Sequence, residues 1–198
     1  STLFPYTTLF RSYVFTRLEF KGRNIVFILY LSTMMIPITV RLIPSYNLCR
    51  NLNMLDTYMG MILPQVAWSI PFGTFLMRQF YMGIPKQLDE AAKIDGANHF
   101  QIFWKILLPN TKSSMTTLGI YTFISAWNNL IWMLLSVRSE SKWTVTLGIS
   151  SICGASVIKQ PTWNLIMGVI VIGMIPVLIL FFAFQKYFMQ SVAATGIK

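Results

Sequence analysis

Four stretches of this chain, residues 25–44, 58–77, 115–137 and 163–184, are apolar over about the 20 residues that a helix needs to cross a ~30 Å hydrocarbon layer. The 198 residues are 55% hydrophobic and only 11% charged, with a mean hydropathy of +0.58, which is more apolar surface than one soluble core of this size can hide. The expected solvent is therefore lipid. The expected fold class is an all-α membrane protein with four transmembrane helices.

The net charge of +10 does not point to nucleic acid, because the Lys and Arg residues sit in short segments between the apolar runs and form no stripe alternating with exposed aromatics. It sets an orientation instead. If the segment between the second and third runs is cytoplasmic, that side holds ten basic residues: Arg17, Lys21, Arg23, Arg78, Lys86, Lys93, Lys105, Lys112, Lys186 and Lys198. The other side holds five: Arg41, Arg50, Arg138, Lys142 and Lys159. The positive-inside rule selects this arrangement, with both chain ends cytoplasmic.

The runs contain several residues that bend or thin helices: Pro37 and Pro44, then Pro64, Pro71 and Gly73, then Gly168, Gly173 and Pro176. A bundle tolerates these where neighbours satisfy the freed backbone groups, so bent spans are expected at such points. The outward segment 138–162 includes TVTLGISSICGAS, small and weakly apolar, which suits a re-entrant or surface-lying piece. Cys49 and Cys153 fall in or near the two outward loops and read as unpaired small apolar residues, a disulfide being the alternative that spacing alone does not establish.

The most polar and most patterned part of the chain is the loop 81–112. Pro85 is placed to open a first helix over 86–95, with Asp89 and Glu90 near its positive end and Gly96 as the left-handed residue that ends it. A second helix over 98–107 puts Phe100, Phe103, Trp104 and Leu107 on one face, with Pro109 closing it. An amphipathic helix pair lying on the membrane surface is one reading. Ala91 and Ala92 beside Glu90 support another, since a surface with so little side-chain bulk lets a partner's groove approach the backbone, and Glu90 and Asp95 offer charge to its Arg or Lys.

Glu90-Ala91-Ala92, Gly96, Ile106, Leu108 and Pro109 reproduce a spacing of Glu-Ala-Ala, three residues, Gly, nine residues and Ile-x-Leu-Pro. In this the chain resembles the inner-membrane permease subunits of binding-protein-dependent ABC importers. EAAKIDGA preceded by IPKQL, together with TMMIP, LDTYMG, MRQFY, SAWNNLIW and the ending IPVLILFFAFQKYFMQSVAATGIK, resembles the carbohydrate branch related to maltose and glycerol-3-phosphate permeases. The resemblance implies part of a six-helix permease bundle in the cytoplasmic membrane of a bacterium or archaeon. It also implies that the 81–112 loop is a cytoplasmic helix-turn-helix seated in a cleft of a separate ABC ATPase dimer. Glu90 would meet basic groups of that ATPase, Ala91 and Ala92 would allow a close fit, Asp95 and Gly96 would form the bend, and Ile106, Leu108 and Pro109 would complete the motif. A second permease subunit, an extracytoplasmic solute-binding protein and a sugar substrate are the further implied partners, and ATP would be bound by the ATPase and not by this chain. A permease for a non-sugar solute and a non-transporting scaffold that binds an ATPase are the competing readings.

The chain shows no Gly-x-x-x-x-Gly-Lys-Ser/Thr stretch, no His-Glu-x-x-His and no paired metal-ligand spacing, so no cofactor, metal site or catalytic residue is expected in it. The single histidine, His99, is expected to have a surface or packing role. Trp127, Asn128 and Asn129 lie within the third run, where adjacent amides are costly in lipid. They read either as polar lining of a sugar path or as interhelical hydrogen bonding that holds the bundle. The family usually has an acid where Asn129 stands and a proline where Met133 stands, which weakens any charge-dependent role.

The first residues do not read as a signal peptide, since Pro5, Tyr6, Thr7 and Thr8 interrupt the apolar centre that one is expected to have. Residues 2–12, TLFPYTTLFRS, are also what a common short-read sequencing adapter encodes. The expectation is that residues 1–12 are adapter read-through, that the chain from residue 13 is a C-terminal piece lacking two preceding spans, and that such a piece does not transport alone.

Overall fold

The computed structural model describes residues 3–158 and 163–196, and all regular structure among them is helical. In chain order the helices are α1 (Leu3–Arg17), α2 (Arg23–Ser32), α3 (Ile38–Asn51), α4 (Tyr58–Met82), α5 (Gln87–Ile94), α6 (His99–Ile102), α7 (Leu108–Asn110), α8 (Lys112–Trp127), α9 (Leu130–Ser136), α10 (Val145–Ile158) and α11 (Trp163–Gly196). A 3₁₀ turn, Thr33–Met35, follows α2, and a π-helical turn, Phe103–Leu107, joins α6 to α7.

By length and apolar composition, α4 and α11 can each cross a membrane, and the number rises to four if two bent pairs are each one span. The run expected over 25–44 is not a straight helix: α2 with its 3₁₀ turn meets α3 at 93°. The cause is local. Pro37 has no N–H to donate, and its ring drives Ile36 out of the helical region to φ −72°, ψ 117°. The run expected over 115–137 bends by 53° between α8 and α9, at Asn128 and Asn129, where there is neither Pro nor Gly. Pro44 and Pro176 lie inside continuous helices, and so do Pro64 and Pro71 of α4.

Contacts divide the chain into two compact units. The first draws on Ser1–Ile36, Val66–Ile120 and Lys186–Lys198. Its core gathers Leu9 and Tyr13 of α1, Met77 and Tyr81 of α4, Ala92 of α5, Ile102, Phe103 and Leu107 of the following turns, and Leu118 of α8. Phe103 is the hub, with the rings of Phe10 and Tyr13 each 5.7 Å from its own. Gly73 permits close approach, since a Cβ there would lie 2.9 Å from Thr8 Cγ2 and 3.3 Å from Leu118 Cδ1. On α2, Phe27 is buried under the Arg78 guanidinium, 4.2 Å from the ring centre, while Ile25, Ile28 and Leu29 point outward.

The second unit, Pro37–Gln65 with Tyr121–Gln185, is organised around Trp132. That indole is fully buried and its Nε1–H donates to the Gly60 carbonyl at 3.1 Å. The segment after residue 138, expected to be re-entrant or surface-lying, contains the helix α10, and α11 meets it at Gly173, where a Cβ would fall 2.4 Å from Ile149 Cδ1. Along α11, Ile166 is buried but Leu165, Val171, Ile172, Ile179 and Phe182 are exposed, an apolar face suited to hydrocarbon or to another helix. Cys49 and Cys153 are both free thiols.

Candidate functional site

The loop 81–112 is the chain's most structured polar segment, and its residues explain why. α5 begins at Gln87, with Lys86 as its N-cap and Asp89 and Glu90 in the first turn, where carboxylates complement the helix dipole. Pro85 lies just outside the helix and does not open it. At the other end Gly96 takes φ +80°. Its N–H reaches the Lys93 carbonyl at 3.0 Å, and the Ala97 N–H reaches that of Ala92 at 2.9 Å. These two bonds close the helix in a Schellman motif, which needs a residue free of Cβ strain at Gly96.

The next helix starts two residues later with a reciprocal cap. The Gln101 N–H donates to Asn98 Oδ1 at 2.8 Å, and the Asn98 N–H donates to Gln101 Oε1 at 2.9 Å. The expected single helix over 98–107 is instead α6 followed by the π turn, and Pro109 does not close it: helical structure resumes in α7 and passes at Thr111 into α8. The wider π turn rotates the pattern of side chains. Ile102, Phe103 and Leu107 are the buried residues, whereas Phe100 is 62% and Trp104 40% exposed, so the four expected on one face are divided between inside and outside. The Asn-x-x-Gln cap was a signal present in the sequence.

The motif residues are likewise divided. Glu90, Ala91, Asp95, Gly96 and Pro109 are exposed. Ile106 and Leu108 are half-buried and pack against the core of the first unit. Ala92 is not beside Ala91 on the outer surface; it is turned into that core. The outward face of α5 thus keeps Glu90 and Ala91, and its inward face carries Asp89 and Ala92.

Asp89 forms a buried ion pair with Arg17 at the end of α1, Nε to Oδ2 at 3.0 Å, with side-chain exposures of 11% and 4% respectively. The Arg17 Nη2 also donates to the Ile84 carbonyl at 2.8 Å. One turn earlier on α1 the Tyr13 hydroxyl lies 2.9 Å from His99 Nδ1, at the start of α6. Burial, followed by the nearby Asp89 charge, raises the pKa of that phenol, so Tyr13 keeps its proton. His99 itself is exposed. Arg17 and Tyr13 carry no local sequence signal of this role, because their partners are remote in the chain.

Trp127, Asn128 and Asn129 stand at the bend between α8 and α9. Asn129 Oδ1 accepts from the Trp132 N–H at 3.3 Å and so caps α9. The Trp127 ring stacks on Phe123 at 5.6 Å, and its carbonyl accepts from the Thr146 hydroxyl. Asn128 is exposed. Asn129 thus uses its side-chain oxygen to start the helix that follows the bend.

A second acidic anchor was not anticipated. Asp56, at φ 57°, accepts from the N–H groups of Arg138 and Ser139, each at 3.1 Å, and from the Ser139 hydroxyl. Lys142 Nζ lies 3.5 Å from its Oδ2 and donates to its backbone carbonyl. The Ser139 hydroxyl, then the Ser139 and Arg138 N–H groups, hold the Asp56 pKa well below the usual carboxylate range. Beside it, Thr57 accepts the Gly60 N–H at 3.1 Å and caps α4.

Residues 8–194 match the family described as binding-protein-dependent transport system inner membrane component. The chain is 34% identical over 180 residues to the arabinooligosaccharides transport system permease protein AraQ of Bacillus subtilis, covering 91% of this chain and 62% of that protein. It is 37% identical over 185 residues to the sn-glycerol-3-phosphate transport system permease protein UgpE of Yersinia enterocolitica, covering 93% of this chain and 64% of the relative. It therefore spans a little under two thirds of the length of these curated relatives. In three dimensions it is similar to a chain of a bacterial ABC transporter involved in the import of the acidic polysaccharide alginate. The TM-score is 0.72 at 28% identity, over 94% of this chain and 71% of that one. With its apolar helices and its matched loop, this chain belongs to the family of inner membrane components of binding-protein-dependent transport systems.

Proposed function

We propose that the chain forms part of the membrane path of an ABC importer for a sugar, and that its 81–112 loop is the element through which a separate cytoplasmic ATPase dimer drives that path. The observation that carries this reading is the two-sided construction of α5. Its outer face presents Glu90 and the small Ala91, while Asp89 and Ala92 hold its inner face to the core of the first unit. An element that receives force from one side must be anchored on the other.

The positive-inside count puts this loop on the cytoplasmic side and Asp56 on the outer side. A loaded solute-binding protein docks there, a second permease subunit completes the path, and hydrolysis in the ATPase returns the helices to an inward-facing state. Ligand and nucleotide must bind the two states unequally for this cycle to run. The relatives named for arabinooligosaccharides and for glycerol-3-phosphate support a carbohydrate or a sugar-like polyol phosphate as cargo.

The test is reconstitution of the full-length permease pair with its ATPase and binding protein in vesicles. Sugar-dependent ATP hydrolysis and uptake that both fall in Glu90→Ala and Gly96→Ala support the importer. ATPase binding with no uptake of any solute supports the scaffold reading, and uptake of amino acids or phosphate in place of sugars supports a different cargo.

A further inference from the structure

Tyr13 and Arg17 are four residues apart on α1, a spacing that puts both on one face of the helix. From that face each reaches the start of a different helix of the 81–112 loop: Arg17 meets Asp89 in the first turn of α5, and Tyr13 meets His99 at the start of α6. Arg17 also holds the connection before α5 through the Ile84 carbonyl. The pair sits between the C-terminal end of α1 and the N-terminal end of α5, so each charge complements its own helix dipole as well as its partner. It is also exclusive. Among the described residues, Asp89 Oδ1 and Arg17 Nε are both buried without a hydrogen-bond partner, so the two charges meet as an ion pair and not through a hydrogen bond, and the carboxylate depends on Arg17 for its compensation.

We propose that the Arg17–Asp89 pair, seconded by Tyr13–His99, is a strut that makes α5 move with α1, so that displacement of α5 reaches the membrane helices instead of being absorbed within the loop. The inference deepens the importer reading and rests on it. Arg17 and Asp89 are positioning residues in it: they face the core and leave the outward face of α5 to a partner. A strut must be stiff in both directions of the cycle, and a buried pair of opposite charges meets that need because parting it leaves a charge uncompensated.

The experiment uses the complete complex in vesicles and compares wild type, Arg17→Ala, Asp89→Ala and the exchanged pair Arg17→Asp with Asp89→Arg. Three quantities are read: ATPase subunit retained, uptake per ATP hydrolysed, and hydrogen exchange of the segment 86–96. Each single substitution is expected to retain the ATPase, to lower uptake per ATP by about tenfold, and to speed exchange in the segment. The exchanged pair restores the opposite charges but opposes both helix dipoles and loses the bond to the Ile84 carbonyl, so it is expected to recover only part of the lost ratio, about threefold of the tenfold. An unchanged ratio in the single variants overturns the strut. So does a parallel loss of assembly and uptake that the exchanged pair does not relieve, because that is a structural role only. A wild-type complex without sugar-dependent hydrolysis defeats the importer reading itself; in that case unchanged exchange of 86–96 in Asp89→Ala shows that the tether is absent too.

Discussion

Asp89 and Asp56 each fasten one segment of the chain to a remote one, yet they do so in different surroundings. Asp89 is buried and faces one guanidinium across an ion pair, while its Oδ1 and the Arg17 Nε both lack a hydrogen-bond partner among the described residues. Asp56 is about a quarter exposed and takes two backbone N–H groups, a hydroxyl and, at 3.5 Å, an ammonium group. The first anchor relies on a single opposing charge in a medium where losing it is costly; the second spreads its needs over several donors and is open to water. Burial therefore makes the same carboxylate chemistry either an all-or-none tether or a graded clasp.

The largest effect that tests this contrast is Asp89→Ala, which strands a buried guanidinium and is expected to destabilise the first unit by about 3–5 kcal/mol. Denaturation of the detergent-solubilised protein checks it, and a loss no larger than that from Asp56→Ala would erase the distinction. Next is Gly60→Ala, beside the Asp56 clasp, where a Cβ would lie 2.1 Å from the Met54 carbonyl oxygen. Overpacking against backbone should cost about 1–3 kcal/mol and shift the near-ultraviolet signal of Trp132, whose indole bonds to Gly60.

Gly96→Ala sharpens the comparison from the other unit. Nothing lies within 4 Å of a Cβ there, so the expected loss of about 1–2 kcal/mol comes from φ +80° alone. An Asn at the same position should recover most of it, whereas no residue with a Cβ should rescue Gly60. Asn98→Ala removes the reciprocal cap of α6 and should cost about 1 kcal/mol, read as faster hydrogen exchange over 98–102.

The smallest effect is that of pH on the Asp56 clasp. Because folding lowers this pKa, the folded chain holds the proton less tightly than the unfolded one. Its contribution is complete above the ordinary Asp value of about 3.9 and is lost only as the pH falls below that range. Thermal midpoints should therefore show no Asp56-dependent change between neutral and mildly acidic conditions, and Asp56→Asn should differ from wild type least at the most acidic pH.

Much of the site could be read from local pattern. A helix-forming segment ends at Gly96, which predicts a left-handed residue there, and the backbone agrees. The Glu-Ala-Ala to Leu-Pro spacing located the loop and the family. Other residues lie elsewhere than local pattern places them, for identifiable reasons. A 3.6-residue period groups Phe100 and Trp104 with Phe103 and Leu107, and the π turn breaks that period. Adjacency pairs Ala92 with Ala91, but neighbours on a helix point about 100° apart, and Ala92 faces the core. Asn129 lies in an apolar run, and its side-chain oxygen also caps the helix that starts after it, a use that the polarity of the run does not by itself indicate.

The sequence by itself determined that the chain is helical and lies in a membrane, because apolar length and charge placement are one-dimensional quantities that a bilayer reads directly. It also determined the two-helix form of the 81–112 loop, since caps and left-handed glycines act within a few residues. Only the tertiary structure decided which face of α5 is free, that the third apolar run bends at Asn128 and Asn129, and that Arg17 and Asp56 hold remote segments. Those choices depend on pairings between distant parts of the chain, and the free energy of a buried charge is set by the partner that folding brings to it.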